Sequence, residues 1–245
     1  MIFRKGITVK NRLLVCSFPI SDFSFIISRV SQKKNPYPAQ IVISAIRVVG
    51  WTISKLFWQI EFHGVENIPQ KLPGGLVVMA NHQTYLDPMW ICLKINRKYR
   101  FMAWDGAFNS NFLGKTIRYL GAFPVSLERG GTIKAMKESL RALRDGAALI
   151  IFPEGEREFS DGEFLEFKSG AMRIAMEAGV PVLPVTISGA HKIWAQDMKF
   201  PKLYGKVNII YHPLFRVPKP EKGADIREHI ERLTEELKTL ISVER

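Results

Sequence analysis

Apolar residues recur along the chain at two periods. The runs Leu76-Val77-Val78-Met79-Ala80 and Ala147-Ala148-Leu149-Ile150-Ile151 are short and unbroken. Their length suits strands covered on both faces. Comparable strand-like runs fall near 60–63, 99–104, 122–125, 181–188 and 205–215, and most are separated by helical patterns. In residues 132–145, Ile133, Met136, Leu140 and Leu143 make one stripe, closed by Arg144-Asp145-Gly146. Residues 168–178 form a second helix ended by Gly179, and Ile226, Ile230, Leu233, Leu237 and Leu240 line a last one. Strands alternating with helices predict an α/β fold with a mixed, largely parallel sheet flanked by helices. Ligands of such sheets sit beyond the carboxyl ends of the strands.

The most apolar long stretch, residues 41–60, breaks this alternation. At about 30 Å as a helix it is long enough to span a bilayer. Its pattern favours a helix lying flat in the interface. Val42, Ile46, Val49, Ile53, Leu56 and Ile60 fall on one face, and Gln40, Ser44, Arg47, Trp51, Lys55 and Trp58 on the other. Arg47 and Lys55 at mid-span would each cost about 2.5–3.5 kcal/mol inside hydrocarbon. In the interface plane they face anionic lipid instead. Packing of this helix on a soluble core is the alternative. The chain therefore divides into an N-terminal membrane-associated amphipathic helical segment, 1–60, and an α/β domain, 61–245. Residues 13–20 are apolar but interrupted by Pro19, and no small-residue cleavage site follows, so a secreted form is not expected.

Composition sharpens the partner class. The net charge of +12 points to a polyanion. No basic run of five or more residues and no nucleic-acid motif is present, so an anionic membrane surface fits and nucleic acid does not. Two cysteines, Cys16 and Cys92, are too few for a disulfide framework and suit a reducing compartment.

The candidate chemistry follows two of the strands. Asn81-His82-Gln83-Thr84-Tyr85-Leu86-Asp87-Pro88 leaves the first buried run. A turn into a helix starting near Asp87-Pro88 would bring the carboxylate to the imidazole. Held so, His82 is a general base that Asp87 keeps in one tautomer. The structural alternative is a strand-ending histidine and a helix-capping aspartate. The second buried run ends in Phe152-Pro153-Glu154-Gly155-Glu156-Arg157. Arg157 offers a bidentate fork to a phosphate, and Gly155 allows close backbone approach.

In order, these blocks resemble the glycerolipid acyltransferase family, whose best-known members are the lysophosphatidate acyltransferases. The family pattern is His-x4-Asp within Asn-His-x-[Ser/Thr]-x-x-Asp, then Gly…Pro-Val…Arg, Phe-Pro-Glu-Gly-Thr-Arg and Val-Pro-Val-x-Pro-Val. The counterparts here are residues 81–87, 121–129, 152–157 and 180–185. Two positions depart: the arginine after Pro124-Val125 comes two residues late, as Arg129, and Glu156 replaces the usual threonine. The resemblance implies transfer of a fatty acyl group from acyl carrier protein or coenzyme A to a lysophospholipid hydroxyl, most simply 1-acylglycerol-3-phosphate. It implies no cofactor or metal. His82 and Asp87 would be catalytic. Arg129 and Arg157 would hold the acceptor's phosphate, Glu154 and Gly155 would line its site, and Asn81 and Thr84 would shape the loop. The expected location is the cytoplasmic face of the cell membrane. The alternatives are another acceptor such as a lyso-aminolipid, a metal-dependent hydrolase built on His82, Asp87 and Glu154, or a non-catalytic membrane-binding protein.

Overall fold

The computed structural model describes residue 37 and residues 40–111, 113–126, 131–157, 164–195 and 198–243. The apolar run at residues 13–20 lies outside them. Seven strands form one sheet: β1 Gln59–His63, β2 Leu76–Ala80, β3 Tyr99–Trp104, β4 Ala122–Val125, β5 Ala148–Ile151, β6 Val182–Ser188 and β7 Lys206–Tyr211. Their order is β1-β7-β6-β2-β5-β3-β4. Among the described strands only the β6–β7 pairing is antiparallel. The other five pairings are parallel. Among the described residues six α-helices accompany the sheet: α1 Gln40–Phe57, α2 Asp87–Cys92, α3 Leu113–Tyr119, α4 Gly131–Arg144, α5 Gly170–Ala178 and α6 Ile226–Val243.

The central strands are buried on both faces because their alternate side chains feed two separate cores. Leu76, Val78 and Ala80 of β2 join Ala148 and Ile150 of β5 in one core, under α1 and α2. Val77 and Met79 join Leu149 and Ile151 in the other, with residues of α4, α5 and α6. Two helical stripes sit slightly differently from their apolar pattern. In α4, Ile133 is exposed, and the buried positions are Ala135, Ser139, Ala142 and Leu143. In α6, Ile226 is exposed, and Ile241 is buried. In α4 close contact with the sheet favours the small residues, whereas α6 buries the bulky Ile230, Leu233, Leu237 and Ile241 and leaves out its first turn.

The segment at 41–60 is a helix only as far as Phe57, and Ile60 belongs to β1. The helix meets the core through Ile43, Gly50 and Ser54, not through its bulkiest face. At Gly50 an added Cβ would already lie 3.4 Å from Leu93, so the bare backbone sets the approach. Arg47, expected to face lipid, instead lies on the packed side. Its guanidinium donates to Leu93 O at 3.1 Å and to Asn96 Oδ1 at 3.0 Å. The unfilled carbonyl at the end of α2 attracts it there. Trp58, also placed on the polar face, is buried and donates from Nε1 to Lys202 O at 2.8 Å. Ile41, Val48, Val49, Trp51, Ile53 and Leu56 stay exposed. Among the described residues no helix is long and apolar enough to cross a membrane.

Candidate active site

β2, β5 and β6 run in parallel, so their carboxyl ends share one edge of the sheet. Where β2 ends, Asn81 extends its pairing with a side chain. Asn81 Nδ2 donates to Ile187 O at 2.8 Å and its Oδ1 accepts from Ile187 N at 2.7 Å. The amide thus imitates a peptide group and frees the main chain to turn. On the β5 side, His82 N donates to Glu154 Oε1 at 2.9 Å. The other oxygen of Glu154 accepts from Leu165 N at 3.2 Å. Glu154 is buried. Its carboxylate ties the His82 turn to the segment after β5, a positioning task distinct from the substrate contact expected of it.

The turn folds Asp87 back onto the residues before it. Asp87 Oδ2 accepts from Gln83 N at 2.6 Å, Thr84 N at 2.8 Å and His82 Nδ1 at 2.8 Å. Oδ1 accepts from Thr84 Oγ1 at 2.7 Å. A fully buried carboxylate is costly unless its oxygens are satisfied, and four donors meet that requirement. Against this acceptor the Nδ1 proton of His82 is the donor, which leaves Nε2 with the lone pair. The ring is also fixed in plane. It stacks on Phe152 at 4.0 Å between centroids with 19° between planes. Its side chain remains 18% exposed, against 0% for Asp87, so the imidazole is the part of the pair that solvent or a ligand can reach.

Arg157 reaches the same loop from the end of β5. Its guanidinium lies 3.5 Å from the Tyr85 ring centroid, and Nη2 donates to the Tyr85 hydroxyl at 2.7 Å. Tyr85 is 61% exposed and packs edge-on against Trp194 at 5.1 Å. A half-buried cation on an exposed aromatic shelf is placed to meet an anion. Gly155 has φ +77, and an added Cβ would lie 2.5 Å from Lys168 Nζ. The close approach that Gly155 permits is therefore made by the Lys168 ammonium. Glu156 is exposed. Arg129 lies outside the described residues. β4 pairs in parallel with β3, and β3 with β5, so the chain leaves Val125 toward this same edge.

Three contributors were not singled out in the sequence. Phe152 supplies the stacking surface, and Tyr85 the shelf for Arg157. Gln83 Oε1 accepts from Ala190 N at 3.0 Å, which anchors the turn to the segment after β6. Gln83 and Tyr85 stand at positions where the motif specifies no residue. Only a buried amide and an exposed aromatic inside a strand-to-helix turn would have marked them. His82, Asp87 and Glu154 do not converge as a metal site would require. Among the described residues no three His, Cys, Asp or Glu side chains form a group that could hold an ion.

Comparison with known proteins gives this geometry its context. A family model described as Acyltransferase matches residues 59–188, more than half of the chain. The 1-acyl-sn-glycerol-3-phosphate acyltransferase BAT2, chloroplastic, of Brassica napus is 31% identical over 157 residues, 64% of this chain and 45% of that protein. The 1-acyl-sn-glycerol-3-phosphate acyltransferase of Streptococcus pneumoniae is 32% identical over 140 residues, 55% of this chain and 50% of that one. The chain thus spans about half the length of these relatives. The crystal structure of the 1-acyl-sn-glycerophosphate acyltransferase PlsC of Thermotoga maritima superposes with a TM-score of 0.62 at 26% identity, covering 92% of this chain and 90% of that one. The His-Asp turn, the Glu154 tie and the Arg157 shelf all lie within the sheet edge that the family model spans, and the chain belongs to the acyltransferase family.

Proposed function

We propose that this chain transfers a fatty acyl group from a thioester, acyl carrier protein or coenzyme A, to the free hydroxyl of a lysophospholipid at a membrane surface. The acceptor favoured is 1-acylglycerol-3-phosphate, which gives phosphatidate. The observation that carries the reading is the His82–Asp87 pair, at 2.8 Å, on a turn whose amides at Gln83 and Thr84 also donate to Asp87. His82 Nε2 takes the proton of the acceptor hydroxyl, and the oxygen attacks the thioester carbonyl. The resulting imidazolium is stabilised by Asp87. When the tetrahedral adduct collapses, the C–S bond breaks and the departing sulfur takes the proton from Nε2. The thioester is already activated, so neither a metal nor a covalent enzyme intermediate is needed. Arg157 pairs with the acceptor's phosphate, and Arg129 is assigned the same role from the motif order. The names of the relatives support the acceptor class. The exposed apolar face of α1 and the charge of +12 support attachment to an anionic, cytoplasmic membrane face.

A second acceptor class, zwitterionic or amine-bearing lysolipids, is favoured by Glu156, which sets an exposed carboxylate beside Arg157. Purified protein with labelled acyl thioester and a panel of lysolipids, read by mass spectrometry, tests both readings. His82→Ala should lower turnover about 10²–10⁴-fold, the usual worth of a general base, without unfolding the protein. Activity should survive EDTA. Near wild-type turnover in His82→Ala would sink the assignment.

A further inference from the structure

Strand direction places one more element at the catalytic edge. β6 and β7 are antiparallel with Ser188 opposite Asn208, so both ends of the connection between them, residues 189–205, lie where β2 delivers His82. β1 is parallel to β7 with Gln59 opposite Lys206, so the Phe57 end of α1 arrives there too. The described part of the connection is pinned from within. Ile193 is buried, Lys202 N donates to Ile193 O at 2.9 Å, and Gln59 N donates to Gly205 O at 2.8 Å. Yet Phe200, Leu203 and Tyr204 are 70%, 63% and 72% exposed. A held segment that turns three large apolar side chains outward is not fraying, and such patches mark contact surfaces.

Charge selects the partner. Residues 189–206 carry four lysines, Lys192, Lys199, Lys202 and Lys206, against one acid, Asp197. Lys199 Nζ sits 5.6 Å from the Phe200 ring centroid, and Lys206 pairs with Glu61 at 3.0 Å. Rings and an aliphatic side chain flanked by lysines match a bilayer interface, where rings settle at headgroup depth and ammonium groups meet lipid phosphate. The segment also touches the reaction site through Trp194, which packs on Tyr85.

We propose that Phe200, Leu203 and Tyr204 form a membrane-dipping tip, a contact with anionic lipid separate from α1 that sets the mouth of the catalytic edge on the bilayer. The proposal rests on the membrane reading above, and its test separates the two. In full-length Cys16→Ser protein, a spin label is attached at Leu203→Cys, at Val48→Cys on the outer face of α1, or at Leu240→Cys on α6, across the sheet. Buried Cys92 takes no label. On vesicles of phosphatidylglycerol and phosphatidylcholine, the position-203 label should become accessible to oxygen and shielded from a water-soluble nickel chelate, and the position-240 label should not. The combined change Phe200→Ser, Leu203→Ser and Tyr204→Ser should slow transfer to vesicle-borne acceptor about tenfold, by loss of interfacial apolar area. Transfer to short-chain acceptor below its micelle concentration should be unchanged. A position-203 label that stays in water while the position-48 label enters lipid overturns the tip and leaves the α1 reading standing. Both labels in water overturn both. Shielding of position 203 by acidic carrier protein, with no effect of vesicles, also overturns the tip.

Discussion

Asp87 serves two ends at once, orienting His82 and closing the turn that carries it. Both depend on Thr84, whose Oγ1 donates to Asp87 Oδ1 and accepts from Leu86 N at 3.1 Å. Thr84→Val keeps the shape but leaves a buried carboxylate oxygen without its donor. Such a loss costs about 1–3 kcal/mol, so the urea midpoint should fall, and turnover with it as the imidazole loosens. An unchanged midpoint would mean that the carboxylate finds another donor. At Glu156 the expected effect is on selectivity. Glu156→Thr removes a negative charge beside Arg157 and should raise the ratio of kcat/KM for lysophosphatidate over a zwitterionic lysolipid. An unchanged ratio would take Glu156 out of the acceptor site. The His82–Asp87 partnership was legible because its spacing fits a turn into a helix. The tie from His82 N to Glu154 was not, since it joins residues 72 positions apart through a buried carboxylate whose target is a main-chain amide.

At the scale of elements, all seven strands lie where short strand-like runs placed them: β2, β5 and β6 as runs buried on both faces, β1 and β7 through the alternation of a sheet margin covered on one face. The last expected strand, 205–215, is shorter. β7 ends at Tyr211, and beyond it Phe215 meets Val182 only as an isolated bridge. The sidedness of α1 was harder to read. Periodicity locates its apolar stripe but does not say whether protein or lipid covers it. Here the core takes Gly50 and Ser54, which allow close packing, and leaves Val49, Ile53 and Leu56 outside. Arg47 is then engaged by Leu93 O and Asn96 on the packed side. Val48 and Leu56 are 64% and 73% exposed, so Val48→Asp with Leu56→Asp should leave stability within about 0.5 kcal/mol of wild type. The same double change should weaken sedimentation with anionic vesicles. Vesicle binding at wild-type strength would show that the outer face of α1 contributes nothing to attachment.

Across the whole molecule, the layer under α1 and α2 gathers acids that burial keeps neutral. Burial pushes the Cys92 thiol up to about 12, with Arg47 opposing only in part. Tyr99 and Tyr211 are pushed upward by burial as well, and the Tyr211 hydroxyl donates to Ile91 O at 2.9 Å. An acid whose folded pKa lies above its unfolded one adds stability that is intact below the unfolded pKa and lost as pH rises toward the folded one. For Cys92 that loss begins at about 8.5, the pKa of a free thiol, and the tyrosines join at about 10. Shedding lysine charge from a chain at +12 acts in the opposite direction over the same range, by relieving self-repulsion. A falling stability curve therefore reports the buried acids. The urea midpoint should hold steady up to pH of about 8.5 and then decline. Cys92→Ala should start lower, because a buried side chain has been cut back, but should stay flat until about pH 10, where only the tyrosines remain to ionise. If both proteins begin to lose stability at the same pH, the thiol carries none of the dependence, and the alkaline transition belongs to the tyrosines alone.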